Sequence, residues 1–84
     1  MKKRKRAQNA REVLAENLKR LRAEHKLSQE GLAEKAGFHR TYVSQVERCK
    51  TNISLDNLEK LATYLAVPTY SLLVDLDAGP SGPT

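Results

Sequence analysis

Apolar residues along this chain recur at helical spacing rather than strand spacing. Leu14, Leu18 and Leu21 stand at i, i+4 and i+7, on one face of a helix predicted from about Ala10 to Glu24. Ser28 is a good N-cap for a second helix, with Leu32, Ala33 and Ala36 inward and Gly37 ending it as a left-handed residue. A third helix is expected from about Arg40 to Glu47, with Val43 and Val46 inward. Ser54 caps a fourth, whose inner face is Leu55, Leu58, Ala62 and Leu65 with Leu61 beside it. Pro68 cannot continue that helix and suits the start of a fifth, Thr69 to Val74. No stretch alternates with period two, so no sheet is expected. The reading is an all-α, five-helix domain with short connections.

One spacing recurs at four helix starts. A hydrophobic residue just before an N-cap often packs on the residue five positions later and so sets the angle at which the chain joins the helix. The pairs are Leu27/Leu32, Phe38/Val43, Ile53/Leu58 and Val67/Leu72. Residues 10–76 are therefore read as the folded domain, residues 1–9 as a basic disordered arm and residues 77–84 as a flexible tail.

Size and composition narrow the class. An 84-residue chain is one small domain, and such a domain buries only about 60–65% of its unfolded surface. Cys49 is the single cysteine, so no intrachain disulfide forms and a reducing compartment fits. No apolar run approaches the roughly 18 residues that span a bilayer. The opening Met-Lys-Lys-Arg-Lys-Arg has no hydrophobic stretch after it, unlike a secretion signal. A cytoplasmic protein with no membrane partner is expected.

The net charge of +5 is unevenly placed. Residues 2–6 are all Lys or Arg and supply the whole excess, because residues 7–84 hold 10 basic and 10 acidic side chains. Within that span, residues 7–52 carry +3 and residues 53–84 carry −3. One half suits a polyanion and the other half faces elsewhere.

The chemistry lies where the second and third helical patterns meet at Gly37. Arg40, Thr41 and Gln45 sit on the face of the third helix opposite Val43 and Val46. This is a helix-turn-helix, whose second helix enters the DNA major groove with its N-terminal side chains at base edges. An Arg fork suits guanine O6 and N7, Gln suits adenine N6 and N7, and Thr suits a thymine methyl group. Ser44 is a further base or phosphate contact. Gln29 opens the second helix, where free N–H groups favour an anion. Arg48, Lys50 and Asn52 follow the third helix and are expected at the DNA backbone with Gln29, His39 and Tyr42. Such contacts set register without reading sequence. No nucleophile–base pair or phosphate loop appears, and His25 and His39 lack partners at metal-ligand spacing. No enzyme, cofactor or metal is expected.

The run Leu27-Ser28-Gln29, Leu32-Ala33, Ala36-Gly37 and Val43-Ser44-Gln45-Val46-Glu47 resembles the phage repressor and Cro family, also called the xenobiotic-response-element type. The resemblance covers about residues 10–75. His39-Arg40-Thr41-Tyr42 and the short length look most like the controller proteins of restriction–modification systems. It implies a lambda-repressor-like domain of five helices, a symmetric homodimer and binding to a palindromic operator in double-stranded DNA as a transcriptional regulator. Arg40, Thr41, Ser44 and Gln45 match base-facing positions, and Gln29, Arg48 and Lys50 match phosphate-facing ones. Arg22 and Glu47 match a structural salt bridge. Three residues depart from the pattern. Gly31 replaces the usual glutamate and removes a capping box, Cys49 stands where glycine is usual, and His39 is a weak N-cap.

The last helix carries more apolar residues than so small a core needs. Tyr70, Leu72, Leu73 and Leu76 are expected at a dimer interface. A repressor blocks RNA polymerase by occupying the promoter, whereas a controller can recruit it through an exposed acidic patch, for which Glu30 and Glu34 are candidates. The alternative reading is an antitoxin-type interaction module that autoregulates its operon.

Overall fold

A computed structural model describes residues 9–76, and every regular element among them is helical. Four α-helices, α1 (Ala10–Glu24), α2 (Gln29–Ala36), α3 (Arg40–Glu47) and α4 (Leu55–Tyr64), precede a 3-10 helix at Thr69–Leu73. The expected arm and tail lie largely outside the described residues.

Local chemistry sets the helix starts. Asn9, grouped with the arm in the sequence reading, caps α1. Its side chain accepts from the Glu12 N–H at 3.0 Å, and Glu12 Oε1 accepts from the Asn9 N–H at 3.2 Å. Two of the four orphan donors are thereby satisfied reciprocally. Ser28 and Ser54 cap α2 and α4 by accepting from Gly31 and Asn57. His39 makes no side-chain cap, so α3 starts without that support.

All four α-helices end in the same way. A residue with positive φ follows the helix, and the next N–H reaches back five residues: Leu27 to Arg22, Phe38 to Ala33, Lys50 to Gln45 and Val67 to Ala62. This Schellman closure favours glycine, yet only Gly37 (φ +79) supplies it. Lys26, Cys49 and Ala66 adopt φ of +58, +59 and +60. Leu27, Phe38 and Val67 then serve twice. Each closes one helix and packs on the core as the staple of the next element, as Ile53 does before α4.

Leu18, Leu32, Leu61, Leu65, Leu72 and Val43 are fully buried at the centre. Two expectations fail here. Leu55 does not face inward. It is 77% exposed in the first turn of α4, where the apolar stripe runs past the edge of the core into an open groove of about 470 Å³. Leu72 is not an interface residue. It is 0% exposed, a member of the core against which Val67 packs.

The fifth element is shorter and tighter than the expected helix. Pro68 sets its start with φ −64, but the chain is extended again at Val74 (φ −92, ψ 122). Buried Asn17 explains the change. Its Nδ2 donates to the carbonyls of Leu72 and Val74, both at 2.9 Å, and to that of Ser71 at 3.4 Å. Those carbonyls are held by a side chain of α1 instead of by a longer helix.

Candidate nucleic-acid interface

α2 and α3 meet at Gly37, and α3 is held by its inward face. Val43 and Val46 are buried, which turns Arg40 and Thr41 to solvent and leaves Ser44 and Gln45 half-exposed. Among the described residues, Arg40, Thr41, Ser44 and Gln45 have no side-chain hydrogen bond or ion pair within the protein. Their donors and acceptors are available to an external partner. Arg48 and Lys50 are exposed and equally unpaired, and His39 is exposed at the start of α3.

A polar lock beneath α3 sets its orientation. Arg22 on α1 places Nε 2.6 Å and Nη2 2.9 Å from the two carboxylate oxygens of Glu47, which is only 5% exposed. Nη1 of Arg22 also donates to the Leu27 carbonyl at 3.0 Å. Gln29 Nε2 adds a third donor to Glu47 at 3.0 Å. Three segments of the motif thus converge on one carboxylate. The Glu47 hydrogen bond raises the Arg22 pKa further above its ordinary value, outweighing the opposite effect of burial.

Two residues expected at the DNA backbone are drawn inward. Gln29 is half-buried by its bond to Glu47. Tyr42 lays its ring 4.9 Å from that of Phe38, and its hydroxyl accepts from Asn57 Nδ2 at 3.1 Å. Each keeps one donor hydrogen beyond these bonds. Asn52 stays exposed, but its Oδ1 accepts from both Nε (3.1 Å) and Nη2 of Arg11. Arg11, Asn17 and Asn57 were not singled out from sequence. Only Asn9-x-x-Glu12 offered a legible cue, as a capping box.

The geometry matches what is found among known proteins. Residues 18–72 match the helix-turn-helix family model. A hypothetical transcription factor from Neisseria meningitidis serogroup B is 49% identical over 80% of this chain, which spans 63% of that relative's length. A solved Neisseria structure of that description has a TM-score of 0.78 at 48% identity, covering 79% of this chain and 74% of its own. Control protein C.SmaI from Serratia marcescens is 47% identical over 74% of each chain. The structure of SinR, described as a master regulator of biofilm formation in complex with DNA, has a TM-score of 0.68 at 39% identity, covering 73% of this chain and 98% of its own. The chain belongs to the helix-turn-helix family, and it is a DNA-binding transcription regulator. These relatives are regulators and not enzymes. Among the described residues, no helix is long and apolar enough to cross a membrane.

Proposed function

We propose that this regulator binds double-stranded DNA as a homodimer, each protomer placing α3 in the major groove of one half of a palindromic operator. The carrying observation is the outward face of α3, with four unengaged hydrogen-bonding side chains set on a locked helix and basic residues at its far end. Arg40, Thr41, Ser44 and Gln45 read bases. Arg48, Lys50, Asn52 and His39 meet phosphates, with the remaining hydrogens of Gln29 and Tyr42. A two-fold dimer sets its recognition helices about 34 Å apart, one helical turn of DNA.

The dimer contact uses the apolar residues the fold leaves outside. Tyr70 and Leu76 are 70% and 63% exposed, and Leu55, Leu73 and Val74 are also exposed. Leu55 and Leu73 line one groove, and Tyr70, Val74 and Leu76 another. Apolar surface of this kind is more than scattered exposure in a small domain.

The likeness to control protein C.SmaI supports a restriction–modification controller acting in the cytoplasm. Exposed Glu30 and Glu34 on α2 are suited to touching RNA polymerase. In vitro selection from random duplex DNA tests the central reading. Enrichment of inverted half-sites with centres about 10 base pairs apart is expected, and absence of any enriched sequence would overturn it.

A further inference from the structure

Arg11 on α1 and Asn52 in the loop after α3 meet side chain to side chain. Arg11 donates to Asn52 Oδ1 through both Nε (3.1 Å) and Nη2. The backbone of Arg11 meets the same loop, because the Cys49 thiol donates weakly to its carbonyl at 3.6 Å. Both residues are exposed, yet both are anchored. Arg11 stands in the capped first turn of α1, just before buried Val13 and Leu14. Asn52 adjoins Ile53, which packs against the core. Arg48 and Lys50 stand in the same loop, exposed and unpaired among the described residues.

The pairing dictates which way the Asn52 amide faces. A guanidinium carries donors only, so just the oxygen edge of an amide can meet it. The NH2 group is thereby turned away from Arg11, and neither of its hydrogens has an acceptor in the protein among the described residues. A phosphate oxygen accepts and does not donate, so it bonds that NH2 edge alone. An unheld asparagine on an exposed loop turns either edge outward, and its oxygen edge repels a phosphate. Fixing the side chain before the DNA arrives also removes the cost of ordering it on binding.

We propose that Arg11 is a positioning residue for DNA binding, presetting the Asn52 amide with its NH2 group outward as a donor to a backbone phosphate. The proposal rests on the DNA-binding reading of α3 and the loop that follows it. Arg11 acts through Asn52 and not on the DNA itself. Its effect is the same on every sequence, because phosphates carry no base identity. Base preference stays with α3.

The test is a double-mutant cycle in the full chain. Binding to a duplex selected in vitro, and to a scrambled duplex of equal length, is followed by fluorescence anisotropy. Arg11→Met and Asn52→Ala each weaken binding about three- to tenfold on both duplexes alike. In the Asn52→Ala background, Arg11→Met changes affinity by less than about twofold, because its route to the DNA is gone. Asn52→Asp keeps a partner for the Arg11 fork but offers a phosphate no hydrogen, so it binds more weakly than Asn52→Ala while melting no lower than the wild type. In the selected duplex, a neutral methylphosphonate at one position per half-site weakens the wild type and leaves Arg11→Met and Asn52→Ala unaffected. Thermal melts establish that each variant folds. Equal losses from Arg11→Met with and without Asn52 overturn the positioning role, as does unchanged binding by Arg11→Met. Wild-type binding by Asn52→Asp overturns the donor role, as does the lack of any phosphate whose neutralisation the two variants silence. Failure of the wild-type chain to bind either duplex overturns the DNA-binding reading itself.

Discussion

Arg22 closes a two-point fork on Glu47, joining α1 to the last residue of α3 through a carboxylate that water hardly reaches. Removing one partner leaves the other charge buried without compensation, a loss of about 3–5 kcal/mol in comparable pairs. Arg22→Ala is expected to destabilise the domain by about 3 kcal/mol, read from a denaturant melt. Arg22→Met combined with Glu47→Leu is expected to recover most of that loss, since packed apolar groups replace such pairs with little penalty. The raised Arg22 pKa also fixes a sign. The stabilisation it reflects is fully present below the unfolded-state pKa and is lost only as pH rises through the still higher folded-state value. Arg22 therefore adds no slope to stability between about pH 5 and pH 9.

The helix ends predict easy stabilisation. Lys26, Cys49 and Ala66 hold left-handed backbone that disfavours an L side chain by about 1 kcal/mol. Lys26→Gly and Ala66→Gly are each expected to raise stability by about 0.5–1 kcal/mol. That corresponds to about 2–8 °C in Tm for a domain of this size. Cys49→Gly should gain less, because it also loses the thiol contact to Arg11. A fall in Tm at Ala66→Gly would contradict the backbone assignment.

Asn17 tests how the 3-10 helix is held. Asn17→Leu strips three carbonyls of one buried donor group. A loss of about 1–3 kcal/mol is expected, with faster amide exchange around residues 71–74 than elsewhere.

Base reading by α3 predicts a position-specific defect. Arg40→Ala is expected to weaken operator binding by about 1–3 kcal/mol and to relax preference at one base pair per half-site. Lys50→Ala should weaken binding uniformly and reduce the salt slope by about 1. Gel shifts on a panel of single-base operator variants separate the two outcomes.

Burial separates two leucines, Leu72 and Leu76, that the sequence reading assigns together to a dimer interface. Leu76→Asp is expected to yield folded monomers by light scattering. Leu72→Asp should unfold the chain, because a carboxylate at that fully buried site has no partner. A folded monomer from Leu72→Asp would contradict its place in the core.

Local chemistry determined much of this fold. The i, i+4, i+7 spacing of Leu14, Leu18 and Leu21, the caps at Ser28 and Ser54 and the glycine at 37 each act within a turn or two of chain, so helix positions were legible in the residues themselves. The outward set on α3 was legible for the same reason: period 3.6 forces Arg40, Thr41 and Gln45 away from Val43 and Val46. Tertiary structure decided whatever depends on partners distant in sequence. Leu55 and Leu72 both look apolar and helical, and only the three-dimensional edge of the core leaves one in water and encloses the other. Asn17 reaches carbonyls 54 to 57 residues away and thereby shortens the final helix. Arg11 reaches Asn52 across 41 positions. Side-chain hydrogen bonds over such separations have no period and no local signature, so they emerge only once packing has brought the two segments within bonding distance.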